Sequence, residues 1–312
     1  MAKNKIKRVK HLVFGFGQIA SFIEKYFKEA FVSHADITKD KEIEDEIQKY
    51  EPEAVINTAA ITSLEECEQN KIKAFEVNTL GAYKIWNICR KNDIFYCHFS
   101  SGCIFSSKTA DEIYHESDTP NPQSYYSWTK VWAENLLGKP PNLLIVRPRQ
   151  VISSSVDKRN TLAKWVVYSH FIPDQNTTSV VEDFMPVLED MIRRKISGTF
   201  HLANPGTISP LEVAYLLKKK INPKMKIHKT TLEEINKSLI AKRVSTILST
   251  KALESLGYVL PPIRESIEKT IEIFGKNLKK LGGLKALDPL RNETKSKFSL
   301  ASKVKNSFLE IN

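Results

Sequence analysis

What the chain lacks narrows its chemistry first. Its four cysteines, Cys67, Cys89, Cys97 and Cys103, form no C-x-x-C pair and stand at no metal-ligand spacing from a histidine, which argues against a metal centre. No apolar run approaches the roughly 20 residues that a membrane helix needs, and the start Met1-Ala2-Lys3-Asn4-Lys5 leads into a strand without the apolar region of a secretory signal. Internal repeats and low-complexity tracts are also missing. The expectation is a cytoplasmic protein with free thiols, no metal and no membrane partner.

What is present fits an ordinary globular protein: 312 residues, 41% of them hydrophobic, enough for one large or two modest domains. A net charge of +11 raises the question of nucleic acid, yet the lysines are scattered among asparagines and isoleucines and do not cluster with aromatics. No nucleic-acid partner is expected; an anionic nucleotide ligand and a bias of composition account for the charge. Much of the excess follows Gly275, in Lys279, Lys280, Lys295, Lys297, Lys303 and Lys305. Residues 276–312 therefore read as an appended basic tail, poorly ordered or loosely helical.

The first chemical signal is Gly15-Phe16-Gly17-Gln18-Ile19-Ala20, which directly follows the apolar strand His11-Leu12-Val13-Phe14 and opens an amphipathic helix to about residue 29. Gly-x-Gly-x-x-Ala between strand and helix supplies a tight turn, close backbone approach and a helix amino terminus facing a pyrophosphate. A phosphate would lie over Gly17, and Gly15, Gln18 and Ile19 are candidate cofactor contacts. The second strand, around 31–34, is poorly marked and no acid ends it to hold a ribose 2′-hydroxyl. His34 there tolerates a 2′-phosphate, which favours NADPH and leaves NADH as the alternative; Asp36 joins it as a candidate contact.

Residues 54–60 form a further strand whose small last residues, Ala59 and Ala60, let a cofactor lie across its carboxyl end. Asn78 stands on a helical face otherwise made of Phe75, Ala82, Ile85, Ile88 and Cys89, and a buried amide must find partners. It either orders the active-site strand, with the cofactor contacts, or satisfies itself in the core. Residues 94–99 are a buried strand, with Cys97 and His98 in the core, that delivers 100–105 at its carboxyl end, where open α/β sheets bind ligands. The fold expected is α/β, a Rossmann-like doubly wound parallel sheet: a dinucleotide-binding domain over 1–150, to which later strands contribute, and a smaller α+β substrate region over 151–275.

The second signal is Tyr126-Ser127-Trp128-Thr129-Lys130. Four-residue spacing puts Tyr126 and Lys130 on one helix face, where the ammonium can act on the phenol and move its titration from about 10 toward neutrality. Ser101 would be the second hydrogen-bond partner of the same substrate oxygen.

From about residue 11 to 253 these residues resemble the extended short-chain dehydrogenase/reductase family that acts on nucleotide sugars. Within it the chain is similar to dTDP-4-dehydrorhamnose reductases, and more closely to the epimerase/reductase half of plant-type UDP-rhamnose synthases. Gly102-Cys103-Ile104-Phe105, Ile152-Ser153-Ser154 with residues 159–164, and residues 200–206 carry the closer match. The resemblance implies that Ser101, Tyr126 and Lys130 form a reductive triad, with Lys130 also on the cofactor. Where simple reductases read Asp-Tyr and the dehydratases Asp-Glu, this chain has Gly102-Cys103. In the epimerase/reductases that cysteine and a lysine at the position of Lys164 are the acid-base pair. Gly102, Asn160, Arg243 and, more weakly, Arg159 are the implied substrate contacts, the last three near the diphosphate.

The activity so implied is a bifunctional 3,5-epimerase/4-reductase making UDP- or dTDP-L-rhamnose from the 4-keto-6-deoxy-glucose nucleotide. The alternatives are a plain 4-ketoreductase and a non-catalytic NADP-binding regulatory subunit. A homodimer and a functional pairing with a 4,6-dehydratase are compatible with it. In the second half, residues 173–179 read as a loop over the site. Ser209 caps a helix that begins with Pro210, and Thr231 with Glu233 and Glu234 starts another.

Overall fold

The computed structural model of the chain describes residues 9–109 and 111–292. Lys295, Lys297, Lys303 and Lys305 lie outside the described residues. Ten short strands are β1 His11–Phe14, β2 Ala30–Ser33, β3 Ala54–Asn57, β4 Phe95–Phe99, β5 Ile113–Tyr114, β6 Leu143–Val146, β7 His170–Phe171, β8 Gly198–Phe200, β9 His228–Lys229 and β10 Ile247–Leu248. In the first half the helices are α1 Gln18–Tyr26, α2 Asp40–Tyr50, α3 Leu64–Gln69, α4 Lys71–Phe75, α5 Ala82–Lys91 and α6 Tyr125–Leu137. In the second half come α7 Thr161–Val167, α8 Val181–Arg193, α9 Pro210–Lys220, α10 Leu232–Ser238, α11 Lys251–Ser255 and α12 Ile263–Lys280.

Six strands form one parallel sheet in the order β2-β1-β3-β4-β6-β8. β1, β3, β4 and β6 are buried along their whole length, as strands covered on both faces must be. Alternation divides their side chains: Val13, Ile56, Cys97 and Leu144 pack with α1 and α8. Leu12, Phe14, Val55, Tyr96 and Ile145 pack with α2 and α5 on the other face. Strand order reverses between β1 and β3, so a crevice opens at their carboxyl ends, the usual ligand position in open α/β sheets. The doubly wound parallel sheet expected from the sequence is the fold observed.

Two elements depart from expectation. The long helix expected around Asn78 is interrupted: α4 and α5 are joined by a π-helical segment, Glu76–Gly81, with Asn78 and Thr79 fully buried in it. Its wider turn sends the Asn78 amide out of the helix to the loop after β3, and such segments recur at functional sites. The second departure is the tail. The boundary at 275/276 falls inside α12, and Phe274, Leu278, Leu287 and Leu290 are buried with α7 and α9 in a separate core of the second half. Residues 276–292 are therefore not a loose appendage; an apolar face at helical spacing lay hidden among the lysines that set their composition.

Among the described residues no helix is long and apolar enough to cross a membrane. Leu278→Ala should lower stability by about 2–5 kcal/mol, the usual cost of emptying a buried leucine site, as read from urea unfolding. A change within a few tenths of a kcal/mol would show that the tail does not share the core.

Candidate active site

The site is built where β4 ends. Ser101 is extended, and its hydroxyl accepts from the Cys103 amide at 3.1 Å, which starts a single 3-10 turn over Gly102–Ile104. Helix α6 is seated on that turn. Its cap, Ser124, accepts from the Ser127 amide and meets the Ser127 hydroxyl at 3.0 Å, and that hydroxyl donates to the Cys103 carbonyl at 2.8 Å. The Lys130 ammonium donates to the Phe99 carbonyl at 2.9 Å, and the Ser100 hydroxyl donates to the Glu134 carboxylate. Tyr126, Lys130 and Glu134, spaced by four on one face, thus all meet the exit of β4.

Ser101, Cys103 and Tyr126 come together here. The Ser101 hydroxyl lies near enough to the Tyr126 phenol to favour its ionised form, and Cys103 packs in the same small cluster as Tyr126, with Cys67 and Ile61. Burial is the largest influence on Tyr126 and raises its pKa; the nearby Cys103 adds to the rise, while Ser101 and Arg149 oppose it. The expected shift toward neutrality is therefore corrected: the phenol is held as a neutral proton donor, because desolvation outweighs the charges around it. Burial lowers Lys130 to about 8, with Glu134 opposing.

At the dinucleotide crevice, Gly15 has φ +99, and a Cβ there would come within 2.5 Å of the Ala59 backbone nitrogen. The loop after β3 can close on the glycine turn only because that atom is missing. Over Gly17, by contrast, a Cβ would meet nothing within 4 Å, and α1 begins there with no side-chain cap and no acid in its first turn. An uncapped helix amino terminus with open space above it suits a pyrophosphate. Ala59 and Ala60 are half-buried beside it; the exposed His34 ring lies 5.4 Å from that of Phe16. Ile19 is half-buried, Gln18 donates to the Ser153 hydroxyl at 3.1 Å, and the Asp36 carboxylate is turned onto Thr38, whose hydrogen bonds lower its pKa.

Several expected contacts do something else. Asn78 is fully buried, with its amide bonded to the Ile61 backbone and the Thr129 hydroxyl, so it fixes the crevice loop. Asn160, also fully buried, caps α7 through the Leu162 amide and staples the backbone of Ser153 and Ser155. Its amide has no face left for a diphosphate. Gly102 donates its amide to the Pro148 carbonyl and is closed in by Leu248 and Arg149, so it is a packing position and not a substrate contact.

Arg159 pairs with Asp157 and reaches the Phe16 carbonyl at 3.3 Å, on the side of the glycine turn. Arg243 is half-buried and pairs with Glu65 at 2.5 Å, across from the loop after β3. Lys164 is half-buried on α7, whose Leu162, Ala163, Trp165 and Val166 are buried. Residues 176–179, expected in a loop over the site, are buried, and Asn176 among them holds Arg149.

Sequence reasoning missed Glu134, Arg147 and Arg149. Arg147 grips the Glu134 carboxylate at 2.9 and 2.6 Å, with both side chains largely buried. Arg149, buried, brings a guanidinium nitrogen to 3.4 Å from the Cys103 sulfur. The Tyr126-Lys130-Glu134 spacing was a signal for the first; the arginines had none.

This fold and this serine, tyrosine and lysine at one strand end define the class of Rossmann-like short-chain dehydrogenase/reductases. A family model, RmlD substrate binding domain, matches residues 20–275, and the chain belongs to that family. It is 28% identical over 216 residues, 67% of this chain and 72% of the other, to a bifunctional dTDP-4-dehydrorhamnose 3,5-epimerase/dTDP-4-dehydrorhamnose reductase of Arabidopsis thaliana. A trifunctional UDP-glucose 4,6-dehydratase/UDP-4-keto-6-deoxy-D-glucose 3,5-epimerase/UDP-4-keto-L-rhamnose-reductase of the same plant is 30% identical over 224 residues. That match takes in 70% of this chain but 33% of the relative.

Among solved structures, a UDP-rhamnose synthase of Acanthamoeba polyphaga mimivirus superposes with a TM-score of 0.79 at 26% identity, covering 85% of this chain and 99% of that one. A dTDP-4-dehydrorhamnose reductase of Bacillus anthracis in complex with NADP shares the fold, with a TM-score of 0.74 at 20% identity over 86% and 98% of the two chains. The resemblance drawn from the sequence is borne out.

Lys130 supplies a direct test of the site's burial. Its signal in a 13C-lysine NMR titration should move near pH 8, against 10.5 for an ordinary lysine, and be absent from Lys130→Met. The unfolded chain then binds more protons between these values, so this group makes folding stability rise with pH across that window. Titration of every lysine above pH 10 would overturn the picture.

Proposed function

We propose that the chain is an NADPH-dependent nucleotide-sugar reductase that also epimerises its substrate, converting a UDP- or dTDP-4-keto-6-deoxy-glucose to the L-rhamnose nucleotide. The observation that carries the reading is the position of Cys103: a thiol packed beside the phenol and serine hydroxyl that would grip the ketone. Inverting carbons 3 and 5 requires a proton to leave one face of each carbon and return to the other, and the adjacent 4-keto group makes both acidic. The enolate oxygen is held by Tyr126 and Ser101, while Cys103 and Lys164 remove and return the ring protons.

NADPH, when bound, supplies the hydride that reduces carbon 4. Tyr126, kept neutral by burial, gives its proton to the oxygen as that bond forms. Gly15, Gly17 and the first turn of α1 would hold the pyrophosphate, His34 would face the adenine ribose, and Lys130 would hold the nicotinamide ribose and replace the lost proton. The substrate must come from a 4,6-dehydratase, an activity that the trifunctional plant relative carries in its name. Retention of Ser101, Tyr126 and Lys130 favours catalysis over a silent regulatory subunit.

The test is incubation of the protein with UDP- and dTDP-4-keto-6-deoxy-glucose and NADPH in deuterated water, with the product read by proton NMR. A rhamnose nucleotide with deuterium at carbons 3 and 5 is expected. Cys103→Ser and Lys164→Met should each cut ring deuteration by about a hundredfold or more, in line with the loss of a general acid or base. Reduction of an already epimerised ketone should fall by much less. Reduction without ring deuterium would leave a plain 4-ketoreductase, and no consumption of NADPH would leave a binding protein.

A further inference from the structure

Arg149 has a task that its own packing does not explain. The backbone ladder between β4 and β6 runs on past both strands, the Ser100 amide donating to the Val146 carbonyl and the Gly102 amide to the Pro148 carbonyl, each at 2.9 Å. That continuation brings residue 149 level with residue 102, next to Cys103. Gly102 lets it pass, since a Cβ there would stand 3.1 Å from the Arg149 Cβ and 2.6 Å from Leu248. The guanidinium is then fixed from several sides. Nη2 donates to the Asn176 side-chain oxygen at 3.0 Å and to the Val244 carbonyl at 2.6 Å, and Nη1 to the Cys103 sulfur at 3.4 Å.

Every oxygen that holds this cation is neutral. Its neighbour Arg147 is matched by Glu134, but among the described residues no carboxylate pairs with Arg149, which is only 9% exposed. A buried cation without an anion is costly. Of the groups that its nitrogens touch, the Cys103 thiol is the one that can become an anion. We propose that Arg149 is a positioning residue for epimerisation, holding the Cys103 sulfur in place and balancing its charge whenever the thiol is without its proton.

The inference rests on the proton-transfer role proposed for Cys103. In that step the S–H bond breaks as a C–H bond forms on the ring, the enolate returns to the ketone and the sulfur keeps the electron pair; the reverse step moves the same charge back. In either direction one negative charge travels between the ring and the sulfur, and Arg149 is placed to accompany it. The same guanidinium also acts on Tyr126, favouring its ionised form against the effect of burial.

Two measurements on the full-length protein test it. In the first, Cys103 is alkylated with iodoacetamide at pH 7 and its peptide quantified by mass spectrometry, while Cys67, Cys89 and Cys97 are shielded by burial. Arg149→Met should slow this reaction about tenfold, and Arg149→Lys, which keeps the charge, should restore part of it. In the second, ring deuteration should fall about a hundredfold in Arg149→Met, and reduction of a pre-epimerised ketone by only about threefold, a split that general loosening would not produce.

Wild-type alkylation in Arg149→Met, or equal losses of deuteration and reduction, would overturn the proposal. Should Arg149→Met not fold, Arg149→Gln keeps an amide without the charge and carries the same comparison. Alkylation needs no substrate, so the two readings fail separately. If the wild-type protein deuterates no ring while the alkylation ranking holds, the epimerase reading falls and the Arg149–Cys103 pairing stands. If the wild-type protein does deuterate and Arg149→Met matches it, only the pairing falls.

Discussion

The seating of α6 on the exit of β4 is the contact on which the rest of the site depends. One helix face presents Tyr126, Lys130 and Glu134, and the strand exit receives them at the 101–103 turn, the Phe99 carbonyl and the Ser100 hydroxyl. The Ser127 hydroxyl, on the next face, pins the helix start to the Cys103 carbonyl. The Lys130 and Glu134 contacts hold the next two turns of the helix to Phe99 and Ser100. The phenol therefore has no freedom to leave the thiol and serine that share its pocket. Reactive groups set on rigid elements in this way keep their mutual distances without help from a ligand.

What was legible in the sequence was local. The strand ending at Phe14, the glycine turn and the opening of α1 occupy ten consecutive residues, and each step has a steric reason written in the residue type. The Tyr126 and Lys130 pair was legible for a similar cause: one helical turn separates them. Even Glu134 lay within reach of that reasoning, since one more step of four arrives at it.

What was not legible depends on distance along the chain. Arg149 is 46 residues from Cys103, 27 from Asn176 and 95 from Val244, and no periodicity joins such positions. Asn160 and Asn78 were hidden in another way. Both were rightly taken as polar groups that must find partners, but the partners are backbone groups, at the cap of α7 for one and in the loop after β3 for the other. A lone amide in a sequence cannot reveal whether it faces a ligand or a turn. The tail misled because its lysines dominate composition, while the leucines that pack it are few and spaced for a helix.

The two arginines that leave β6 together show how one strand can serve two electrostatic ends. Residues 147 and 149 are two apart, so in extended chain they point to the same side, toward the exit of β4. Arg147 meets a carboxylate there, which also receives the Ser100 hydroxyl, and the pair is closed to further charge. His201 beside it is driven down to about 3, chiefly by burial and then by Arg147, so it stays neutral and adds no cation. Two residues on, the carboxylate is replaced by neutral oxygens and a sulfur, and the positive charge is left available. Neutralising the first arginine keeps the strand end stable; leaving the second uncompensated makes the pocket receptive to negative charge. Of the groups in contact with this arginine, the Cys103 sulfur is the one able to carry such a charge.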